Sequence, residues 1–127
     1  MSYKELRQTI NVMAFLQSNA VNAGRGQPCS TSDINVEQSK TGVTVEGQAE
    51  YEVTVSNTCD CPQSNVMILC YGLRSVVAVS PRAIKPVDAK LCVVAEGRPL
   101  SEGTPVKFKY AWKTPQDFPV VSTKIRC

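Results

Sequence analysis

Half of the chain's six cysteines sit within twelve residues, in the stretch Asn57 to Cys70 (NTCDCPQSNVMILC), and this cluster limits the fold more than any other feature. Cys59 and Cys61 are one residue apart. In extended backbone their side chains leave the same face, a poor geometry for bridging each other, so each is expected to bond a more distant cysteine. Pro62 interrupts any strand ladder at this point. The apolar run Val66-Met67-Ile68-Leu69, inside Ser64 to Cys70, is short enough for a buried strand. The stretch reads as a crosslinked turn feeding a core strand.

An even number of cysteines in a small chain points to an oxidising compartment, because cytosolic glutathione keeps such thiols reduced. An extracellular, secreted protein is expected. Structural zinc is the competing account, but the chain has no histidine and no C-x-x-C pair. The disulfide set is therefore Cys29, Cys59, Cys61, Cys70, Cys92 and Cys127, with fifteen possible connectivities that spacing does not separate. With 127 residues, 43% of them hydrophobic, the chain suits one domain with a real core. Its net charge of +3 comes from intermixed acids and bases, so no phosphate-binding face stands out and nucleic acid is not an expected partner. No apolar run reaches the length of about 18 residues that a transmembrane helix needs.

Residues 1 to 28 differ from the rest. Leu6, Ile10, Met13 and Leu16 fall near helical spacing, while Lys4 and Arg7, a weak apolar centre and Val21-Asn22-Ala23 together resemble a relic signal peptide. An N-terminal arm is the plainer reading of the same residues. Gly24, Gly26 and Pro28 form a linker, and an ordered domain is expected over 29–127.

From Ser32 onward the pattern is that of strands. Ile34 and Val36 alternate with polar residues, and in Gln48 to Ser56 the inward set Tyr51, Val53, Val55 alternates with Glu50, Glu52, Thr54. Leu73 to Val79 reads as a further core strand closed by Ser80-Pro81, and Lys90 to Ala95 as another. Gly97 to Gly103 forms a loop. Val106 to Trp112 has the cleanest alternation, with Val106, Phe108, Tyr110 and Trp112 on one face and Lys107, Lys109 and Ala111 on the other. Val121, Thr123, Ile125 and Cys127 share one face of a last strand, whose end Cys127 would tie down. About seven short strands punctuated by glycine and proline predict an all-β fold, a disulfide-stabilised antiparallel β-sandwich.

Chemistry is sparse. Without histidine the usual serine and cysteine triads and histidine-metal sites are excluded, and no catalytic residue or cofactor is expected. Glu50 and Glu52 could in principle pair as glycosidase carboxylates, but on one strand they face solvent together. Asp60 suits a turn better than an acid catalyst. The bases Arg74, Arg82, Lys85 and Lys90 are scattered along strand margins and would matter only if clustered in space. The aromatic stripe reads as core, with Trp112 at the strand end the residue most open to solvent, so a carbohydrate platform of Trp112 and Tyr110 is the alternative function. The loop holding Arg98, Pro99 and Leu100 is the better candidate for partner binding, together with Trp112.

Several blocks carry a resemblance to a known family. They are Cys29-Ser-Thr-Ser-Asp-Ile34, Tyr51-x-Val-x-Val-x-Asn57-x-Cys59, the Cys61 to Cys70 block, Ser80-Pro81, and the run from Cys92 through Gly97, Pro99-Leu100, Gly103 and Val106 to Phe108-x-Tyr110-Ala111. Over Cys29 to Cys127 the chain resembles the plant Tapetum Determinant family of small secreted cysteine-rich proteins, in its broad branch, and all six cysteines find counterparts. The resemblance implies a non-enzymatic extracellular ligand for the ectodomain of a leucine-rich-repeat receptor kinase, acting in anther and tapetal cell-fate specification. The alternative remains a wall-polysaccharide binding module without catalytic activity.

Overall fold

The computed structural model describes residues 28–127, so the N-terminal arm or relic signal expected over 1–28 lies, apart from Pro28, outside the described residues. Seven strands form: β1 Ile34–Val45, β2 Gln48–Asn57, β3 Gln63–Leu69, β4 Ile84–Pro86, β5 Leu91–Val94, β6 Val106–Trp112 and β7 Val120–Ile125. They divide into a three-stranded sheet, β1-β2-β6, and a four-stranded sheet, β4-β5-β3-β7, with every pairing antiparallel. This is the β-sandwich that the alternation predicts.

The cysteine-serine block at its start folds as a short 3-10 turn, Thr31–Asp33, closed by reciprocal bonds. The Ser30 N–H donates to Asp33 Oδ2 at 2.8 Å, and the Ser32 N–H donates to Ser30 Oγ at 3.3 Å. These bonds satisfy amides that a turn leaves without internal partners. At the other end of β1 the chain reverses through Glu46 and Gly47, between the paired residues Val45 and Gln48. Both turn residues have positive φ, 50° and 78°, which suits a two-residue hairpin and explains the glycine.

The core is built from the inward parity of each strand. Tyr51, Val53 and Val55 on β2 face it with Phe108 and Tyr110 on β6, and Val66 and Ile68 on β3 meet it with Cys92 and Val94 on β5. Tyr51 and Tyr110 stand opposite each other in the register and their rings stack at 5.2 Å. Phe118 sits edge-on to both Phe108 and Tyr110, at 5.6 and 5.7 Å. Such ring contacts add to the burial of their large apolar areas.

Three sequence expectations change. Leu73 to Val79 is not a strand. Tyr71, Gly72 and Leu73 all have positive φ, so the chain leaves β3 through a left-handed turn. The segment then crosses the free edge of β6, where the Val76 N–H donates to the Ala111 carbonyl at 2.9 Å and the Ala111 N–H donates to Ser75 Oγ at 3.0 Å. Its Leu73 and Val79 are partly buried against the core by covering the sandwich, without a ladder. The missing strand is β4, three residues at a sheet edge, where Pro86 is tolerated at its end. The last strand also departs from simple alternation. Register shifts against β3 leave Val121 and Ile125 exposed, while Val120 packs on the core.

Candidate functional site

All six cysteines are paired, Cys29 with Cys59, Cys61 with Cys127 and Cys70 with Cys92. Cys59 and Cys61 bond separate, distant partners, as their shared face requires. Two of the bridges lie together at one end of the sandwich. There the sulfurs of Cys29, Cys61 and Cys127 come within 4.8 Å of one another, but each is bound in a disulfide and has no thiolate to offer a metal.

Between these bridges stand two buried polar side chains, Asn57 and Gln63. Asn57 Nδ2 donates to the carbonyls of Cys61 and Leu100, both at 2.9 Å, and its Oδ1 accepts the Cys59 N–H at 2.9 Å. Gln63 Nε2 donates to the Ser30 carbonyl at 3.1 Å, and its Oε1 accepts from Thr123 Oγ1 at 2.6 Å. The backbones of Gln63 and Leu100 also exchange two bonds, at 3.1 and 2.8 Å. One amide pair thus joins the N-terminal turn, the cysteine turn, the 97–103 loop and β7. Asn57 occupies the inward parity of Tyr51, Val53 and Val55, and a polar residue on an apolar face signals a satisfied buried group.

The loop expected to bind a partner is held by this junction, which decides what it exposes. Arg98 and Pro99 are exposed, and the Arg98 guanidinium pairs with Glu96 Oε1 at 2.7 Å. Leu100 is 1% exposed and belongs to the core. The structure therefore corrects its assignment as a contact residue: its carbonyl is taken by Asn57 and its side chain is buried.

Trp112 lies at the other end of the molecule. Leu100 is bonded to Asn57 and Trp112 is opposite Ala49, and those two β2 residues are eight apart, about 26 Å along a strand. The predicted binding residues do not form one site. Trp112 is partly buried against the core and lines an open cleft of about 440 Å³ with Tyr71, Arg74, Gln116, Asp117 and Pro119. Tyr71 is 57% exposed there, whereas Tyr110 is 0% exposed. Tyr110 is thus removed from any carbohydrate platform, and Tyr71 is the aromatic partner of Trp112 that sequence reading missed, hidden just past the end of β3.

The cleft floor is organised by Gln116. Its Nε2 donates to the Arg74 carbonyl at 2.7 Å, and its Oε1 accepts the Arg74 N–H at 3.3 Å. Its own N–H donates to the Tyr110 hydroxyl at 2.8 Å, and that hydroxyl donates to Gln38 Oε1 at 2.6 Å. Gln38 Nε2 closes the circuit on the Gln116 carbonyl at 2.6 Å. Burial holds the Tyr110 phenol above its ordinary pKa, against a smaller lowering by the Gln116 amide. Asp117 is the one carboxylate in the cleft lining. Glu50 and Glu52 lie instead on the outer face of the three-stranded sheet, Glu50 accepting from Thr41 Oγ1 at 2.7 Å and Glu52 in register with Lys109. The paired-carboxylate arrangement of a glycosidase is not assembled among these residues.

Fold and surface together define a disulfide-crosslinked β-sandwich whose polar interior groups are structural. Residues 30–127 match the family model described as "Tapetum determinant 1, C-terminal", and the chain belongs to that family. It is 35% identical over 88 residues to "TPD1 protein homolog 1" of Arabidopsis thaliana, an alignment covering 68% of this chain and 49% of that protein. It is 29% identical over 86 residues to "TPD1 protein homolog 1A" of Oryza sativa subsp. japonica, covering 61% and 38%. The aligned region thus spans about half or less of those relatives' length. No solved structure matches the chain.

Proposed function

We propose that the protein is a secreted, cysteine-rich signalling ligand that acts outside the cell, without catalysis, by binding the ectodomain of a leucine-rich-repeat receptor kinase in plant reproductive cell-fate specification. The observation that carries this reading is the family match over 30–127 on a domain whose every cysteine is in a disulfide. Such a domain suits an oxidising exterior, and a small sandwich with exposed loops and edges suits a concave repeat surface. The absence of histidine from the sequence removes the commonest general base, in keeping with a binding role. Calorimetric titration of the purified, oxidised protein against a panel of recombinant leucine-rich-repeat ectodomains tests it. Saturable binding to at least one is expected, and no binding to any contradicts it.

The cleft at Trp112 and Tyr71 favours one second reading, a module for wall polysaccharides. Exposed aromatic rings can stack on the apolar faces of sugars. Retention on immobilised wall glycans that is lost in Trp112→Ala would support that reading; equal retention of both proteins would end it.

A further inference from the structure

The two outer faces of the sandwich differ in chemistry. On the three-stranded sheet the outward residues run in polar rows, Glu37-Thr54-Lys107 and Ser39-Glu52-Lys109, of the kind that water covers without cost. On the four-stranded sheet Ile68 and Cys92 point inward, so their neighbours point out. Met67 stands opposite Val93, and Leu69 opposite Leu91, all four partly exposed. At the β7 irregularity Val121 adds a side chain 47% exposed. From Val66 to Leu69 on β3, and throughout β5, both parities are therefore apolar, which is the signature of strands covered on both faces, while Ser64 and Asn65 keep the start of β3 polar. Among the described residues no strand packs over the outer face; Asn65 and Gly97 come close to Val93 at one end, and Leu69 lines the Trp112 cleft at the other.

The rim of this face is basic. Lys85 on β4 pairs in register with Val93 at one edge, and Lys124 on β7 pairs with Ser64 at the other. Both are exposed, and neither forms an ion pair among the described residues. The acids nearby are engaged elsewhere. Asp88 accepts the Lys90 and Leu91 N–H groups at 2.8 and 2.7 Å, and Glu96 pairs with Arg98.

We infer that the outer face of the four-stranded sheet, Met67, Leu91, Val93 and Val121 between Lys85 and Lys124, is a docking surface for a protein partner with an apolar centre flanked by carboxylates. Lys85 stands on the Val93-Met67-Ser122 row and Lys124 two residues further along β7, so about 14 Å across the sheet and about 7 Å along it put the lysines roughly 16 Å apart, which sets the spacing of the partner's acids. The face covers roughly 400 Å², about half of the ~800 Å² per partner of a stable interface, so the charged rim must take part. A membrane is a poorer fit, since none of the four strands carries an aromatic ring to anchor in it. A second copy is also a poorer fit, because face-to-face pairing sets lysines against lysines. The inference rests on this face alone and does not depend on the receptor reading.

The test is an NMR titration of the labelled full chain, at low salt, with a synthetic peptide of alternating leucine and glutamate at millimolar concentration. Amide shifts are expected at 67, 91, 93 and 121. They should vanish in Met67→Ser/Val93→Ser, and affinity should fall about tenfold in Lys85→Glu/Lys124→Glu and with added salt. Should the serine variant fail to fold, the charge-reversal pair carries the test. No shifts, shifts centred on the Trp112 cleft or the three-stranded sheet, or affinity unchanged by the charge reversal overturn the inference. So does binding to phosphatidylserine vesicles, or self-association, that is lost in Met67→Ser/Val93→Ser, since either assigns the face to another occupant. Because the probe is a peptide, failure here leaves the ectodomain titration to decide the receptor reading separately.

Discussion

Asn57 and Tyr110 show how much of this domain depends on single polar atoms in buried places. Asn57→Leu would keep the branched shape but leave the Cys61 carbonyl and the Cys59 N–H without this side-chain partner and take one of two donors from the Leu100 carbonyl. A loss of about 3 kcal/mol is expected, read as a fall in Tm of more than 10 °C. Tyr110→Phe removes the hydroxyl between Gln38 and Gln116 and should cost roughly 1–3 kcal/mol at neutral pH. The phenol also links stability to pH. Its folded pKa is raised by burial, so its contribution is complete below the ordinary tyrosine value of about 10 and is lost as pH rises through the folded value. Chemical denaturation of the wild type and Tyr110→Phe across pH 8 to 11 checks this: the gap between them should narrow above about pH 10. A constant gap would show that the phenol titrates alike in both states. Asn57 continues the inward parity of Tyr51-x-Val-x-Val-x-Asn57, a signal that the reading of the strand to Ser56 stopped short of. The Gln38–Tyr110–Gln116 circuit was not legible, because Gln38 is 72 and 78 residues from its two partners and no local pattern links them.

Among the elements, those that repeat a local pattern were readable and those defined by what they cover were not. The alternation of β2 and β6 places Tyr51, Val53, Phe108 and Tyr110 inward as expected. Leu73 to Val79 has the composition of a strand, yet it lies over the β6 edge, and only the left-handed turn at Tyr71-Gly72-Leu73 decides this. Positive φ at two non-glycine residues is not a property that composition announces. Strand β3 was read as buried from its unbroken apolar run, and the structure divides that run between the core and an uncovered outer face. The binding residues fared similarly: Arg98 and Pro99 are exposed, Leu100 is core, and Trp112 faces a cleft at the far end. The Arg74 clamp gives this scale its own prediction. Gln116→Ala should release 71–76 from the 113–119 loop, so that the Val76 amide exchanges at least tenfold faster while the β2 amides are unchanged. Equal protection at Val76 in both proteins would show that the two bonds to Ala111 suffice.

For the molecule as a whole, the disulfides set the stability that a domain of this size needs. The loops they close span 30, 66 and 22 residues. Chain entropy assigns about 4 kcal/mol to Cys61–Cys127 and somewhat less to each of the others. Replacing both Cys61 and Cys127 by serine should therefore destabilise the fold by about 4 kcal/mol in urea, whereas at Cys70 and Cys92, both in the core, two buried hydroxyls add to the loss of loop closure. A much smaller loss at Cys61 and Cys127 would mean that strain or residual structure offsets the loop closure. The same three bridges carry the central claim, a crosslinked sandwich, and with it the proposed secretion, and they can be read directly. Peptide mass mapping without reduction, on protein secreted from plant cells, should find Cys29–Cys59, Cys61–Cys127 and Cys70–Cys92. Free thiols, or a bond between Cys59 and Cys61, would contradict both the topology and the compartment.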